Sequence, residues 1–300
     1  PAVLEKILIS DSKTSNPQLL VGYGTKDDAA VYNIGNGQAI ISTTDFFTPI
    51  VNDAFDFGQI AAANAISDVY AMGGKPLMAL AILGWPVEKL PAEVAQQVLD
   101  GARKVCSEAG ISLAGGHSID SPEPIFGLAV TGMVSIKNLK QNSTAIEGCK
   151  LFLTKPLGVG MIATAQKRGN VIEQDFNEAK TWMMKLNSAG YEFGKLDYVK
   201  AMTDVTGFGL LGHLIEMCEG SNLSAEIRYA EIPLLSNIHY YISKMIYPDS
   251  TFRNWKSYEK KVNGISSESL FTLCDPQTNG GLLVAVEPMC ENDFVAQAAK

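Results

Sequence analysis

Residues 64–76 read NAISDVYAMGGKP, and this stretch carries the chain from a helix into a strand. We expect the helix to begin at the N-cap residue Asp56 and to end at the glycine pair of the motif. Asn64 and Asp68 are four residues apart, so both lie on one face of this alanine-rich helix. The sequence therefore predicts a mostly apolar helix that carries two polar side chains along one stripe.

Further helices and strands alternate on both sides of this helix. The expected strands cover residues 39–44, 77–83, 111–114, 125–134 and 150–154. The expected helices cover residues 2–9, 91–109, 177–194 and 210–218. The polar stretch 249–269 has the composition of a mobile surface excursion. A chain that alternates in this way is predicted to fold as a mixed α and β protein.

The length of the chain indicates two domains. Its 300 residues, of which 46% are hydrophobic and 19% charged, can bury two cores of ordinary size. The polar stretch 137–148 separates two halves that both mix helices and strands, so we place the domain boundary there. The expected domains cover residues 1–140 and 146–300.

The composition excludes several classes of protein. The formal net charge of -8 argues against a nucleic-acid partner, because phosphate backbones require a basic face. No apolar run is long enough to cross a membrane, and the first residues do not resemble a signal peptide, so we expect a cytoplasmic protein. The five cysteines are scattered without a C-x-x-C pair, which predicts reduced core thiols and neither a disulfide framework nor a zinc site.

Aspartates are the most informative polar residues of the sequence. Asp27 and Asp28 are adjacent in a turn-like stretch, Asp45 sits at the end of the expected strand 39–44, and Asp204 lies in the polar stretch 202–209. Each of these, taken alone, is more often a cap or turn residue than a ligand. Asp68 is different, because a carboxylate on an alanine-rich helix is costly to bury without a partner. A magnesium ion would supply that partner, since it is held by carboxylates together with substrate phosphates.

Two glycine-containing stretches are candidates for phosphate binding. Gly115-Gly116-His117-Ser118 is expected to be a turn that presents backbone N–H groups to a phosphate or ribose, or else a tight connection. Gly207-Phe208-Gly209 precedes a helix and is either an anion-binding N-terminus or a simple cap. No Walker motif, kinase H-R-D, G-x-G-x-x-G or G-x-S-x-G elbow occurs. The residues by themselves indicate an acidic protein suited to a magnesium nucleotide.

Six motifs occur together in a specific order. They are TKDDAAV at 25–31, STTDFF at 42–47, NAISDVYAMGGKP at 64–76, AGGHSID at 114–120, MTDVTGFGLLGH at 202–213 and CDPQT at 274–278. In order and context this set resembles the selenophosphate synthetase (selenide, water dikinase) family, within the superfamily of aminoimidazole ribonucleotide synthetase. The resemblance covers nearly the whole chain, and the combination is more specific than any single motif.

The resemblance implies an architecture of two domains, α+β and α/β, of the aminoimidazole ribonucleotide synthetase type. The N-terminal domain, residues 1–140, would bind ATP and magnesium and would pair with its copy through sheets in a homodimer. The C-terminal domain, residues 146–300, would form an α/β layer packed against it. ATP would then lie along the N-terminal domain near the dimer interface.

The resemblance also implies a reaction and the residues that serve it. A dikinase of this family converts ATP, selenide and water into selenophosphate, AMP and orthophosphate, with magnesium offsetting the phosphate charge. The implied magnesium ligands are Asp28, Asp68 and Asp204. The implied nucleotide contacts are Thr25, Lys26, Asp27, Asp45, Asp68, Gly116, His117 and Ser118. From its place one helical turn before Asp68, we further expect Asn64 to orient a phosphate or a metal-bound water.

The catalytic nucleophile of the family is expected outside this sequence. The resemblance places a cysteine or selenocysteine, and then a lysine, in a glycine-rich segment just before Pro1. None of the five cysteines present has a matching context. We therefore expect a chain trimmed at both ends that does not complete selenide-dependent turnover by itself. Asn279 departs from the serine that is common in the family, in a turn that suits either residue.

Two other functions are compatible with the same residues. Another member of the superfamily, such as aminoimidazole ribonucleotide synthetase or thiamine monophosphate kinase, would use these aspartates on a different phosphoryl acceptor. A non-catalytic nucleotide-binding or scaffold protein is the second alternative. The complete aspartate set argues against a scaffold, because a scaffold has no need for a costly buried Asp68.

Overall fold

The computed structural model describes residues 16–22 and 26–300. The helix expected over residues 2–9 and the expected nucleotide contact Thr25 lie outside the described residues. The strands are β1 Leu19–Val21, β2 Ala30–Gly35, β3 Gln38–Phe47, β4 Lys75–Trp85, β5 Ser112–Asp120, β6 Ile125–Ser135, β7 Lys150–Leu153, β8 Val199–Asp204 and β9 Leu282–Val286. The helices are α1 Ala54–Ala71, α2 Ala92–Glu108, α3 Val159–Lys167, α4 Glu173–Met184, α5 Ala189–Gly194, α6 Gly209–Ser221, α7 Ile238–Ser243, α8 Asp249–Tyr258, α9 Ser267–Leu273 and α10 Glu291–Ala298.

The N-terminal half forms a six-stranded sheet with helices on one face. The strand order is β1-β2-β3-β6-β4-β5, and the pairs are antiparallel except for the parallel pair of β4 and β5. Helix α1 packs on β3 and β6 and is buried along its length from Phe57 to Ala71. The alanines of α1 permit this complete burial, because small side chains let the helix approach its neighbours closely.

Helices α1 and α2 touch each other through glycines. A Cβ atom added at Gly58 would lie 1.9 Å from the carbonyl oxygen of Val98, and one added at Gly101 would lie 2.1 Å from that of Phe55. Distances this short leave no room for any side chain. The two glycines therefore decide how closely α2 covers α1.

The other face of the six-stranded sheet is open in the single chain. It carries apolar side chains that alternate with the residues facing α1. Phe46, Leu80 and Met133 project from β3, β4 and β6 and are 53%, 42% and 36% exposed. An apolar sheet face of this kind, continuous over three adjacent strands, is typical of an interaction surface.

The C-terminal half is built around a smaller sheet with the order β7-β9-β8, antiparallel throughout. Phe294 of α10 packs against Phe152 of β7 and Phe193 of α5, with ring centroids 4.7 and 4.8 Å apart. The CDPQT motif caps α3, since Asp275 Oδ2 accepts from the Gly160 N–H at 2.9 Å and Gln277 Oε1 from the Val159 N–H at 3.3 Å. Burial raises the pKa of Asp275 to about 8.

The long helix expected over residues 177–194 is wrong, because α4 and α5 are separate helices. Lys185 is extended, with φ -72° and ψ 122°. The side chain of Asn279 donates hydrogen bonds to the carbonyls of Met183 and Lys185, at 2.6 and 2.9 Å. These tertiary bonds use carbonyl groups that would otherwise continue the helix.

The turn expected at Gly115-Gly116-His117-Ser118 is also wrong, because β5 continues through it, with an irregularity in its pairing to β4 just before Gly116. Gly116 pairs with Ala81 in the parallel ladder to β4. Both glycines have positive φ, 149° and 157°, and a Cβ atom at Gly116 would lie 2.2 Å from the Ala81 carbonyl oxygen. The glycines thus permit a close approach of two strands.

Three smaller expectations are corrected as well. The N-cap of α1 is Asp53, whose Oδ1 accepts from the Asp56 N–H at 2.8 Å, while Asp56 pairs with Lys180. Asp45 does not end its strand, since β3 continues to Phe47. The stretch 249–269 holds helix α8 and the start of α9, and α8 buries Thr251, Asn254 and Tyr258.

The two-domain α+β and α/β fold class is confirmed, with an antiparallel-rich sheet in each half. The domain limits at residues 140 and 146 remain a prediction. Within the described part of the chain, no helix has the length and apolar character needed to cross a bilayer. All five cysteines are free, but only Cys106 and Cys274 are buried, so the prediction of core thiols holds for those two.

Candidate magnesium and nucleotide site

Four carboxylates from distant parts of the sequence meet where the two halves of the chain join. Asp45 comes from β3, Asp68 from α1, Asp204 from the end of β8 and Asp28 from the turn before β2. Asp68 and Asp204 are only 7% and 2% exposed, and the other two are half-buried. The structure therefore brings together the three expected magnesium ligands, of which Asp68 was also an expected nucleotide contact, and the further expected nucleotide contact Asp45.

Each of the four carboxylates accepts a hydrogen bond from an uncharged side chain. The bonds are Asn64 Nδ2 to Asp45 Oδ2 at 2.7 Å, Thr43 Oγ1 to Asp68 Oδ2, Ser67 Oγ to Asp204 Oδ2 at 2.6 Å and Thr203 Oγ1 to Asp28 Oδ1 at 2.6 Å. A neutral donor orients a carboxylate without neutralising its charge. One oxygen of each carboxylate is thereby anchored, and the negative charge stays in the site.

The pKa values of these carboxyl groups are raised. Burial is the largest cause at Asp68, followed by the charges of Asp45, Asp204 and Asp28, and it lifts the pKa of Asp68 well above its usual range. Burial also raises the pKa of Asp204 to about 6, against the opposing hydrogen bond from Ser67. Like charges that are buried together are costly without a cation between them. The site is therefore strained electrostatically as it stands.

Lys155 brings a positive charge close to this cluster. Its Nζ atom donates to the carbonyls of Lys185 and Asn279, at 2.6 and 2.8 Å. Burial lowers the pKa of Lys155 to about 7, and the charge of Asp204 opposes that shift. One lysine that is bonded to two carbonyls cannot offset four carboxylates, so the cluster keeps a negative excess.

The oxygen atoms present fit a magnesium ion that substrate phosphates help to hold. Asp27 Oδ2 and Asp28 Oδ2 are buried and have no hydrogen-bond partner, as expected for oxygens that face a cation. Among the described residues, no three or more aspartate, glutamate, histidine or cysteine side chains are arranged so that they could hold a metal ion by themselves. Magnesium commonly keeps waters and phosphate oxygens as further ligands, so an open carboxylate set suits it.

The linker between the two halves forms hydrogen bonds to the turn that carries Lys26 and Asp27. The Asn142 backbone N–H donates to Asp27 Oδ1 at 2.6 Å, and the Asn142 side chain donates to the Lys26 carbonyl at 2.8 Å. Lys26 adopts a left-handed conformation with φ 54°. These contacts place the adjacent carboxylate of Asp28 against the end of β8.

The remaining expected nucleotide contacts are not near the carboxylates in one chain. Gly116, His117 and Ser118 are exposed on β5, the edge strand of the sheet, and β6 and β4 separate them from β3. Three strand spacings amount to roughly 14 Å. A single chain therefore holds two groups of candidate residues that do not meet.

Several residues that build the site were not predicted from the sequence. Ser67 directly precedes Asp68, and Thr203 directly precedes Asp204, so a hydroxyl beside a candidate ligand was the available signal. Each hydroxyl, however, bonds a different carboxylate from its chain neighbour: Ser67 bonds Asp204, and Thr203 bonds Asp28. These two hydrogen bonds result from tertiary packing, and no local sequence pattern predicts them.

Asn64 has protein partners at both ends of its amide group. Its Nδ2 donates to Asp45, and its Oδ1 accepts from the backbone N–H of Asn279 at 2.7 Å. Asn279 has φ 48°, a left-handed conformation that asparagine tolerates well. The structure thus shows Asn64 joining Asp45 to the loop of Asn279, and its expected role toward a phosphate or a metal-bound water remains a prediction.

A separate cavity of about 460 Å³ lies in the C-terminal half, between β7, α6 and residues 223–233. Its lining mixes apolar with polar and charged side chains, and none of the four clustered carboxylates contributes to it. The cavity and the carboxylate cluster are thus distinct features.

Comparison with known proteins places this architecture in a family. The N-terminal domain of the AIR synthase related proteins matches residues 26–134, and their C-terminal domain matches residues 147–300. Solved structures share the fold at low identity. A thiamine-monophosphate kinase from Stenotrophomonas maltophilia has a TM-score of 0.69 at 18% identity, covering 99% of this chain and 88% of that one. A hydrogenase maturation protein HypE in complex with ATP has a TM-score of 0.68 at 16% identity, covering 95% and 78%.

Sequence relatives are much more similar. A protein named selenide, water dikinase from Pseudomonas putida is 58% identical over 301 residues, covering 100% of this chain and 88% of the relative. A protein of the same name from Haemophilus influenzae is 59% identical over 289 residues, covering 96% and 83%. The chain belongs to the selenide, water dikinase family of AIR synthase related proteins.

Proposed function

We propose that this protein forms selenophosphate from selenide, ATP and water, and releases AMP and orthophosphate. The observation that carries this function is the 58% identity over the whole chain to a protein named selenide, water dikinase. The carboxylates from both halves of the chain add support, because phosphoryl transfer depends on positioning and charge stabilisation more than on covalent chemistry.

ATP is the proposed nucleotide substrate. The fold is shared with a HypE protein solved with ATP and with a thiamine-monophosphate kinase solved with AMPPCP and TMP. Lys26, Asp27 and Asp45 lie in or beside the carboxylate cluster and are the proposed contacts within one chain, together with Thr25. The half-buried position of Asp45 leaves it accessible to a bound ligand.

Asp28, Asp68 and Asp204 are the proposed magnesium ligands. Bound magnesium would offset the charge of the phosphate groups during transfer. Thr43, Ser67 and Thr203 hold one oxygen of each carboxylate. Carboxylates that are held in this way lose less conformational freedom on binding, which lowers its ordering cost. These residues belong to both halves of the chain, so the site forms only when the halves are docked.

A homodimer through the open face of the six-stranded sheet is part of this proposal. The exposed apolar side chains of Phe46, Leu80 and Met133 would be removed from water when two such faces pack together. Gly116, His117 and Ser118 lie at one edge of the same sheet, and we propose that they contact the nucleotide in the dimer, near the interface. The cytoplasmic location expected from the sequence remains a prediction.

Product analysis tests the proposed reaction directly. ATP is incubated with magnesium, with and without selenide, and AMP, ADP and orthophosphate are quantified. The protein is assayed as the 300-residue chain and as a longer version that includes any residues its gene encodes before Pro1. Selenide-dependent AMP and orthophosphate, in the longer version at least, support the proposal. ADP as the end product in both would favour an ordinary kinase, and no nucleotide chemistry in either would favour the non-catalytic alternative.

A further inference from the structure

The break between α4 and α5 presents one buried amide to helix α1. Asn187 lies in this break and is 4% exposed. Its Nδ2 donates one hydrogen bond to Ser67 Oγ and one to the Gly280 carbonyl, both at 2.8 Å. Both N–H groups of the amide are therefore used, one on the N-terminal helix and one on the C-terminal half.

The Ser67 hydroxyl has one proton to donate, and the role of the serine depends on which group accepts that proton. A serine within a helix often donates to the carbonyl four residues earlier. Here the Ser67 hydroxyl accepts from Asn187 and donates to Asp204 Oδ2 at 2.6 Å. Ser67 is completely buried, so no water competes for the proton. The bond from Asn187 occupies an acceptor position of the hydroxyl and leaves its proton for Asp204.

We infer that Asn187 is a positioning residue for the magnesium site and acts on Asp204 through Ser67. With Oδ2 of Asp204 held by the hydroxyl, Oδ1 remains available to a divalent cation. Asn187 contacts neither the cation nor the nucleotide. The inference rests on the proposed function, since it assigns to Asp204 the role of a magnesium ligand.

A second contact of the same kind supports this inference. The Asn279 backbone N–H donates to Asn64 Oδ1, and Asn64 Nδ2 donates to Asp45 Oδ2, both at 2.7 Å. Asn64 and Ser67 are three residues apart and share a face of α1. The C-terminal half thus orients two carboxylates through two neighbouring side chains of α1. Asn187 is a better target for substitution than Asn279, because Asn187 donates from its side chain and Asn279 from its backbone N–H.

Asn254 offers a matched control for Asn187. It is also 4% exposed, and its Nδ2 donates to the Gly207 and Cys274 carbonyls at 2.9 and 3.1 Å. Replacing either asparagine with leucine removes two hydrogen bonds from a buried amide. Both substitutions should therefore lower stability to a similar extent, but only Asn187→Leu removes a bond to a hydroxyl that serves a carboxylate.

Calorimetric binding of AMPPCP in the presence of magnesium tests the inference. Asn187→Leu is expected to weaken magnesium-dependent binding about tenfold, the lower range for a residue behind a metal ligand. Asn254→Leu is expected to bind within about twofold of the unmodified protein at an equal loss of thermal stability. Ser67→Ala should weaken binding to a similar degree, and the double variant Ser67→Ala with Asn187→Leu should lose little more, because the two residues act in series.

The results separate this inference from the proposed function. Unchanged binding by Asn187→Leu, or losses that add in full in the double variant, would overturn the role of Asn187 while the unmodified protein still binds. If the unmodified protein shows no magnesium-dependent binding, the proposed function fails and the inference fails with it. Equal losses of binding affinity in Asn187→Leu and Asn254→Leu would show that Asn187 only stabilises the fold.

Discussion

Thr203 Oγ1 donates a 2.6 Å hydrogen bond to Asp28 Oδ1, although the two residues are 175 positions apart. This bond ties the end of β8 to the turn before β2. It also brings Asp204, the next residue, close enough to Asp28 for its charge to raise the pKa of Asp28, after the larger effect of burial. The protein thus assembles like charges across its two halves, an arrangement that a bound cation would stabilise.

Asp68→Asn is expected to remove magnesium-dependent nucleotide binding and to keep the fold. The substitution replaces a buried carboxylate with a neutral amide of the same shape. We expect the affinity for AMPPCP with magnesium to fall at least about tenfold, which corresponds to about 1.4 kcal/mol. Isothermal titration calorimetry measures the affinity, and circular dichroism reports the fold.

The melting temperature of Asp68→Asn without magnesium is a second test of this prediction. Burial and three neighbouring carboxylates disfavour the charge at Asp68, so its removal should leave the metal-free melting temperature equal or higher. Asp100→Asn, at an exposed aspartate paired with Arg103 on α2, is the control and should change neither quantity. An unchanged affinity in Asp68→Asn would refute its role as a ligand.

Leu80→Asp is expected to convert a dimer into a monomer. Leu80 lies on the open apolar face of the six-stranded sheet and is 42% exposed in the single chain. A carboxylate there would have to be desolvated in a packed interface without a partner, which costs several kcal/mol. Sedimentation velocity of the unmodified and variant proteins measures the change. Met289→Asp, at a side chain 93% exposed outside this sheet, should leave the dimer intact, and a Leu80→Asp variant that remains dimeric would exclude this face.

Gly58→Ala is expected to destabilise the protein despite the better helix propensity of alanine. The exchange gains about 1 kcal/mol in an exposed helix. At Gly58 the new Cβ atom would lie 1.9 Å from the Val98 carbonyl oxygen, so α1 and α2 must move apart, at a cost that outweighs the gain. We expect a net loss of about 2 kcal/mol in urea unfolding. Gly207→Ala, where no atom lies within 4 Å of the added Cβ, should be close to neutral in the same measurement.

His213 is expected to make the folded state sensitive to acid. Its Nε2 accepts from the Thr206 N–H at 3.1 Å, and burial lowers its pKa to about 4. An unfolded histidine titrates near 6.5, so the unfolded chain binds more protons between these values, and stability falls as the pH drops from about 6.5 toward 4. The slope from this residue is on the order of 1 kcal/mol per pH unit.

Urea unfolding of the unmodified protein and His213→Gln at several pH values between 7.5 and 4.5 measures this effect. Glutamine keeps an acceptor for Thr206 and does not titrate. The stability difference between the two proteins should therefore shrink or reverse as the pH falls through this window. A difference that stays constant with pH would show that His213 does not contribute to acid sensitivity.

Local sequence patterns accounted for several helices and strands of the fold and for the identity of the clustered carboxylates. The four-residue spacing of Asn64 and Asp68 predicted a shared helix face, which α1 confirms, and the order of six motifs identified the family. Expectations failed where a tertiary contact outweighed a local preference. Asn279 bonds the carbonyls that end α4, and the approach of β4 turned an expected glycine turn into strand β5.

The sequence by itself determined which residue types the site contains, because aspartates, hydroxyl residues and glycines in fixed local order are visible in any segment. Only the tertiary structure decided which donor serves which carboxylate. Ser67 bonds Asp204 across 137 positions, and Thr203 bonds Asp28 across 175. Such pairings depend on how α1 and β8 pack when the two halves dock, and packing between distant segments leaves no periodic signal in the chain.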